Sequence, residues 1–276
     1  MNTEIIDKDY LKKINSIQNM EKYFGDWVKE IKNLNNIFKE AVPYEHIIIP
    51  DFLNEDFAEK IYNEFPTDYQ NWYIYNNPLE VKYANDKIND FPINLKNLYY
   101  ILSTDKCIEY ISKLSDIKNL EFDPYLHGAG IHSHPRNGKL NMHLDYEKHP
   151  KSGKLRRVNI ILYMSKNWNK EWNGQTELWD ENMEECKAKS NVVFNTALIF
   201  KTNDISWHGL PNEIKCPEGI FRKSIAYYYV SDFDYKKKEY RNKATYTTRP
   251  QDSYDPKIEK LCKIRSERRL TLEDLN

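Results

Sequence analysis

The sequence predicts an α+β protein that is mainly β, with its helices concentrated in the first 115 residues. Residues 8–41 repeat apolar side chains at three- and four-residue steps, which is typical of amphipathic helices. From about residue 122, short apolar segments alternate with turn signals such as the PRNG of residues 135–138. Seven or so strands at this spacing indicate a β-sandwich or barrel.

Composition excludes several functional classes. The chain has 41 Lys+Arg and 42 Asp+Glu, and this balance makes a nucleic-acid-binding protein unlikely, although a local basic patch stays open. Aromatic residues make up 14% of the chain, which argues against disorder. No apolar run approaches the length of a membrane-spanning helix, so no membrane association is expected, and the N-terminal segment does not resemble a signal peptide.

The four cysteines are scattered and form no C-x-x-C pair. A disulfide framework or a thiolate zinc site is therefore not expected. We expect reduced, structural thiols in a cytoplasmic protein.

The elements before residue 116 follow from local patterns. Residues 8–41 predict one or two helices packed on a core, and residues 46–49 predict a short strand. Asn54 can cap a helix through its side-chain oxygen. Residues 67–93 read as a loop with short strands, and residues 94–115 as two helices.

One predicted strand has two contrasting faces. Because alternate residues share a face, residues 157–163 divide into a mixed set (Arg157, Asn159, Ile161 and Tyr163) and an apolar set (Val158, Ile160 and Leu162). Such a strand packs on a core behind and faces a cavity in front.

The strongest chemical signal is His143-Leu144-Asp145. In a strand the imidazole and the carboxylate project to the same side. Together with a distant second histidine they can form the 2-His-1-carboxylate site of non-haem Fe(II). The pair alone is weak, because chance produces it in roughly every second chain of this composition; a surface histidine beside a turn aspartate is the ordinary explanation.

Two later residues strengthen the signal. His208 follows an apolar strand, and Arg222 opens another, with Ser224 two residues on. An arginine entering a buried strand needs an anionic partner, because an unpaired buried charge is costly. That partner is either an internal Asp or Glu or a dicarboxylic cosubstrate.

The order of these motifs resembles the Fe(II)/2-oxoglutarate-dependent oxygenases, most closely their prolyl-hydroxylase-like branch. The resemblance covers about residues 121–232, with a looser echo at residues 44–66. The matching segments, in order, are GAGIHSHPRNGKLNMHLDY, RRVNIILYMSKNW, WNGQTELWD, FNTALIFKTNDISWHG and FRKSIAYYYV. Two positions depart from the family pattern, Ser165 and Gln175, and both lie outside the expected ligand set.

The resemblance implies a double-stranded β-helix, or jelly roll, with N-terminal helices packed on one sheet. The corresponding division of the chain is a helical extension at 1–44, an oxygenase domain at 45–235 with its core at 121–232, and a C-terminal basic region at 236–276. The last region holds twelve Lys/Arg against seven Asp/Glu. A solvated tail or a helix wrapped on the domain is favoured there over a lid or an anion-binding patch.

The resemblance also implies residue roles. The iron ligands and catalytic centre would be His143, Asp145 and His208. The cosubstrate 2-oxoglutarate would chelate Fe(II) and place its 5-carboxylate on Arg222, with contributions from Tyr163, Asn159 and Ser224. With dioxygen, such an enzyme releases succinate and CO2 and hydroxylates an unactivated C–H bond. The candidate substrates are a peptidyl proline, an amino acid, or a sugar-type metabolite.

Two other functions stay open on the residues alone: a non-catalytic jelly-roll domain that binds a glycan or protein, and a zinc hydrolase with the same three ligands. Neither explains Arg222. Among the remaining candidates, His132 and His134 are expected to line a loop or pocket. Arg156 and Arg157 either meet an anionic substrate at the site mouth or form a solvated strand edge.

Overall fold

The fold comes from a computed structural model that describes residues 8–233 and 239–275. The first residues of the predicted C-terminal region, 236–238, lie outside the described residues. The helices are α1 (Lys8–Ser16), α2 (Ile31–Glu40), α3 (Glu55–Glu64), α4 (Ile93–Leu102), α5 (Asp105–Ser115), α6 (Pro256–Glu267) and α7 (Leu272–Leu275). None of these helices combines the length and apolarity that crossing a membrane requires.

Of the strands in the described residues, all but the first three lie after residue 120. They are β1 (His46–Ile49), β2 (Tyr73–Asn77), β3 (Glu80–Asn85), β4 (Glu121–Phe122), β5 (Gly130–His134), β6 (Lys139–Leu144), β7 (Leu155–Tyr163), β8 (Thr176–Trp179), β9 (Cys186–Ser190), β10 (Thr196–Lys201), β11 (His208–Leu210), β12 (Arg222–Ser231) and β13 (Thr245–Tyr246).

These strands form a mainly antiparallel, nearly closed jelly roll. The hydrogen-bonded order is β1-β10-β7-β12-β5-β3-β6-β11-β8-β9, with β2, β4 and β13 pairing at its edges. Strand β3 bridges the two halves, because it pairs with both β5 and β6. The predicted double-stranded β-helix is confirmed, and curling the sheet on itself leaves a cavity between the halves.

The helices cover one outer face of this sheet. The largest core cluster joins residues of α2 to α5 to the outward side chains of β7, β10 and β12, among them Val158, Ile160, Leu162, Tyr227 and Tyr229. The apolar face predicted for residues 157–163 is therefore the helix-covered face. The opposite face of β7 looks into the cavity through Asn159 and Ile161.

The N-terminal helical region is more broken than its periodicity predicts. Between α1 and α2 the chain makes two 3-10 turns, at Met20–Tyr23 and Asp26–Lys29. Asn19 lies in the left-handed region (φ 49°), which ends helical propagation. At Gly25 an added Cβ would lie 1.9 Å from the Asp51 carbonyl oxygen, so close approach to the following loop also interrupts the helix.

The other N-terminal predictions are confirmed. The Asn54 side chain accepts a hydrogen bond from the Asp56 amide at the start of α3. The two helices expected within 94–115 are α4 and α5, and the side chain of Thr104 caps the second of them. All four cysteines are free.

A β-bulge in β7 changes which arginine faces inward. Val158 pairs with Tyr229 of β12, and the next β12 residue, Val230, pairs with Arg156, so Arg157 is an extra residue. An extra residue reverses the alternation beyond it. Arg156 therefore joins Asn159 on the cavity face, and the prediction that Arg157 shares this face is wrong.

The described part of the C-terminal region packs against the jelly roll. Strand β13 pairs with β6, with Tyr246 opposite His143. Helix α6 packs behind it through Leu261 and Cys262. The polypeptide after residue 239 thus forms part of the wall of the cavity.

Candidate active site

Three side chains converge at one point of the cavity. His143 and Asp145 lie at and just beyond the end of β6, and His208 opens the neighbouring strand β11, directly opposite His143. Their ligand atoms lie within 4.8 Å of one another, and all three residues are buried. The Asp145 carboxylate oxygens lie 3.7 Å from His143 Nε2 and 3.8 Å from His208 Nε2.

Both imidazoles are held in the form that binds a metal. Nδ1 of His143 donates to the Asn141 carbonyl (3.0 Å), and Nδ1 of His208 donates to the Ser206 carbonyl (2.8 Å). These bonds fix the tautomer that leaves each Nε2 with a free lone pair. Burial also lowers the pKa of His143 to about 3, so its ring is neutral.

The carboxylate is held as firmly as the rings. Tyr228 donates its hydroxyl to Asp145 Oδ2 (2.8 Å), and Asn159 Nδ2 lies 3.4 Å from the same oxygen. Burial acts to raise the pKa of Asp145, but His208, His143, Arg156 and the Tyr228 hydrogen bond together bring it below its ordinary value. The donor set therefore consists of one carboxylate and two imidazoles that each present Nε2, which fits Fe(II).

Residues of the C-terminal region support this cluster from outside. The Tyr246 ring stacks on His143 (centroids 5.3 Å apart, 16° between planes), and Arg241 donates to the Asp145 backbone carbonyl (3.0 Å). On the other side Phe200 packs against His208. Because these groups fix the orientation of the three donors, a metal would meet a preformed site.

The cluster opens into a cavity of about 260 Å³. Its wall includes, besides the three donors, the predicted cosubstrate residues Asn159, Arg222 and Ser224, and also Thr176, Tyr228 and Arg156. Strand β12 supplies residues 222, 224, 226 and 228 to this wall, which is the alternation expected for one face of a strand.

Arg222 is a buried cation without a carboxylate. It is 3% exposed and donates from Nε to the Gly174 carbonyl (2.7 Å) and from Nη2 to Thr176 Oγ1 (3.1 Å). Within residues 8–233 and 239–275 no Asp or Glu lies at ion-pair distance from it. Burial accordingly lowers its pKa. The internal acidic partner that the sequence left open is therefore not found among the described residues, and the guanidinium is available to an anion in the cavity.

The other predicted cosubstrate residues take different positions. Ser224 lies beside Arg222 (Oγ to Nη1 3.4 Å). The Tyr163 hydroxyl donates to Thr176 Oγ1 (2.9 Å), and its ring packs 5.0 Å from the guanidinium carbon of Arg222. Tyr163 is fully buried and supports Arg222 rather than lining the cavity. Asn159 lies at the other end of the face, next to Asp145.

His132 and His134 line the cavity from β5, as the sequence predicts. In the register of the sheet they lie opposite Ser224 and Arg222. The His134 ring is buried, and neither of its nitrogens has a hydrogen-bond partner among the described residues. Burial lowers the pKa of both histidines.

Sequence reasoning missed several residues of the site. Tyr228 could have been found from the two-residue alternation that starts at Arg222. Thr176 lies in the matched hairpin segment but carries no distinctive pattern. Arg241 and Tyr246 lie beyond the matched segment, in a region whose composition indicates only a basic surface, so no sequence signal points to them.

Comparisons with known proteins agree with this geometry. Residues 129–230 match the sequence model of the 2OG-Fe(II) oxygenase superfamily, and this range contains all three donors and Arg222. A search among curated proteins found no match.

Two solved structures share the fold. A prolyl hydroxylase from Trichoplax adhaerens, in complex with a hypoxia inducible factor oxygen degradation domain peptide fragment, is 16% identical, with a TM-score of 0.55 over 76% of this chain and 96% of that one. A prolyl-4-hydroxylase from Pseudomonas putida is 14% identical, with a TM-score of 0.53 over 72% of this chain and 100% of that one.

The sequence match, the shared jelly roll and the His-Asp-His cluster point to the same cofactor and cosubstrate, Fe(II) and 2-oxoglutarate. Residues 129–230 thus match the 2OG-Fe(II) oxygenase superfamily and carry the three donors within a prolyl-hydroxylase-like fold, which supports an Fe(II)- and 2-oxoglutarate-dependent dioxygenase.

Proposed function

We propose that His143, Asp145 and His208 hold Fe(II), and that Arg222 binds the 5-carboxylate of 2-oxoglutarate during hydroxylation of an unactivated C–H bond. The observation that carries the proposal is the presence, in one cavity, of a buried 2-His-1-carboxylate cluster and a buried arginine with no carboxylate partner among the described residues. A zinc hydrolase would have no use for that arginine.

The residues around the three donors and Arg222 each have a defined task in this proposal. The two Nδ1 hydrogen bonds keep the Nε2 atoms deprotonated, and Tyr228 holds the carboxylate in place. Thr176 and Tyr163 fix the Arg222 guanidinium so that its fork can grip a carboxylate with little further loss of freedom. Bound Fe(II) would supply oxidative chemistry that couples decarboxylation of 2-oxoglutarate to hydroxylation.

Purified protein supplied with Fe(II), 2-oxoglutarate and oxygen tests the activity. We expect iron-dependent release of succinate, accelerated by the correct substrate. Metal binding tests the ligands: His208→Gln should weaken Mn(II) binding by roughly 100-fold or more, since even residues that only support ligands contribute 10–100-fold.

His46 provides a matched control. Like His208, it is a buried histidine whose Nδ1 donates to the carbonyl of the residue two positions earlier, here Tyr44 (2.8 Å). Unlike His208, it does not line the cavity. His46→Gln should leave Mn(II) affinity unchanged. Equal Mn(II) affinity in the His208 and His46 variants would remove His208 from the ligand set.

A cytoplasmic location is part of the same proposal. Its support is that the four cysteines are scattered and unpaired, as is usual in a reducing compartment. Fractionation of the source cells tests it, and recovery of the protein outside the cytoplasmic fraction would contradict it.

A further inference from the structure

The charge of the cavity wall is strongly unbalanced. Among the described residues, the wall contains three carboxylates, Glu80, Asp86 and Asp145, and six cationic side chains, Lys82, Arg156, Arg222, Lys243, Arg265 and Arg269. Fe(II) and the dianion of 2-oxoglutarate together add no net charge. The cavity therefore stays positive after both have bound, and a positive cavity favours an anion as its next occupant.

Among the described residues, four of the six cations have no carboxylate at ion-pair distance. The other two share one carboxylate: Glu80 lies 3.5 Å from Lys82 Nζ and 3.3 Å from Arg265 Nε. Arg222 is the proposed 2-oxoglutarate residue. Lys243 and Arg269 are exposed, where water screens their charge. Arg156 remains, and it is 2% exposed.

Arg156 is held in a fixed position facing the cavity. Its guanidinium carbon lies 3.7 Å from the centre of the Tyr146 ring and 3.6 Å from that of Tyr228. Its side chain donates to the His127 carbonyl, and its buried Nε has no hydrogen-bond partner among the described residues. Within the described ranges no carboxylate lies at ion-pair distance from it. Two aromatic faces replace part of the lost hydration. Burial acts to lower the pKa of Arg156, but Tyr146, Tyr228 and the carboxylates of Asp145 and Asp123 bring it above its ordinary value.

The position of Arg156 relates it to the iron site. Tyr228, which stacks on Arg156, donates its hydroxyl to Asp145. On β12, Tyr228 and Arg222 are six residues apart, which corresponds to roughly 20 Å of strand. The two unpaired guanidiniums therefore lie toward opposite ends of the cavity face, and one anion cannot serve both.

One alternative is that Arg156 only balances the charge of Asp145. In that case iron would make it redundant, because a metal bound to the carboxylate takes over that task. A buried cation with Asp123 as its remaining carboxylate, beyond ion-pair distance, would then persist in the loaded enzyme, at a cost that a substrate anion lowers.

We propose that the primary substrate is an anion bearing a carboxylate or phosphate, and that Arg156 binds this group beside the iron site. This inference rests on the proposed function, since it assigns the occupant of the same cavity.

The test is a binding experiment on protein loaded with Mn(II) and saturating 2-oxoglutarate. Acetate and inorganic phosphate are titrated as the simplest forms of the two groups, with acetamide as the neutral counterpart of acetate. We expect saturable calorimetric binding of at least one anion and none of acetamide. The anion that binds with the lower Kd shows whether the site prefers a carboxylate or a phosphate. Binding of neither anion, or equal binding of acetate and acetamide, would overturn the proposal.

Variants of two adjacent arginines locate the site. Arg156→Gln should weaken binding of the anion at least about tenfold, as expected for loss of a buried charge contact. Arg157→Gln is the matched control, because the bulge turns its side chain away from the cavity, and affinity should stay within about twofold of wild type. Unchanged affinity in Arg156→Gln contradicts the assignment.

Arg156→Lys covers the case in which the glutamine variant does not fold. It keeps the charge but loses the planar fork, so we expect weaker binding of the anion with acetamide still excluded. Wild-type affinity in this variant would speak against recognition by the guanidinium. Failure of the proposed function itself looks different, since wild-type protein would then show no Mn(II)-dependent binding of 2-oxoglutarate.

Discussion

Replacing Arg222 should separate binding of the cosubstrate from stability of the fold. Arg222→Met keeps much of the volume of the side chain and removes its charge. The lost interaction is a guanidinium–carboxylate contact in a buried pocket, and truncating one partner of such a pair costs about 2–5 kcal/mol. Affinity for 2-oxoglutarate should therefore fall by roughly 30-fold to several thousand-fold.

The same substitution should have a small effect on the ligand-free protein. Among the described residues, Arg222 makes hydrogen bonds to neutral oxygens only, and the substitution loses these charge-assisted bonds. Removing a buried, uncompensated charge offsets part of that loss. We thus expect the free energy of unfolding of the ligand-free protein to change by less than the free energy of 2-oxoglutarate binding does.

Thermal or denaturant unfolding with and without the ligand gives the assay. With Mn(II) present, wild-type protein at a 2-oxoglutarate concentration 100 times its Kd should gain about 2.7 kcal/mol. A 30-fold weaker variant at the same concentration should gain only about 0.9 kcal/mol.

The next residue in the strand supplies the control. Lys223 points to the helix-covered side, near the rings of Tyr62 and Phe65. Lys223→Met should keep the full gain in stability from 2-oxoglutarate. If Arg222→Met keeps it too, the 5-carboxylate lies elsewhere and the assignment of Arg222 fails.

Two further predictions concern the histidines and their supports. Tyr228→Phe removes the hydroxyl that holds Asp145 and should weaken Mn(II) binding by about 10–100-fold. The control is Tyr229→Phe, which should not weaken it, because the Tyr229 hydroxyl faces the helices and donates to the Leu102 carbonyl. Equal Mn(II) titration curves for the two variants would contradict the role of Tyr228 in holding Asp145. Burial lowers the pKa of His134 below its value in the unfolded chain. At this residue only the unfolded state therefore takes up a proton as the pH falls below about 6.5. The free energy of unfolding should then drop by about 1.4 kcal/mol per pH unit because of His134. Urea unfolding of metal-free protein at pH 7.0 and 5.5 measures that slope, which His134→Gln should make shallower; an unchanged slope would show that His134 does not contribute.

The sequence predicted those parts of the molecule whose pattern is local. Strand alternation placed His143 with Asp145 and assigned the apolar face of β7 to the core. The order of motifs then brought His208 and Arg222 to the same cavity, because the family resemblance supplied the topology. Local patterns could not show the bulge at Arg157, since one unpaired residue leaves no mark on composition.

The interruptions of the N-terminal helix have a similar cause. Apolar spacing continues through Asn19 and Gly25, and the break at Gly25 depends on the close approach of Asp51, 26 residues later in the chain. The packing of Tyr246 on His143 is equally invisible in the sequence, because it joins two segments about one hundred residues apart through a strand of only two residues.

The bulge in β7 lets the strand carry two successive arginines while only one of them faces the cavity. Deleting Arg157 would restore regular pleating and leave Arg156 opposite Val230, so the cavity would keep this guanidinium together with every metal donor. The strand can therefore lose a residue at this position without a change in the chemistry of the cavity wall.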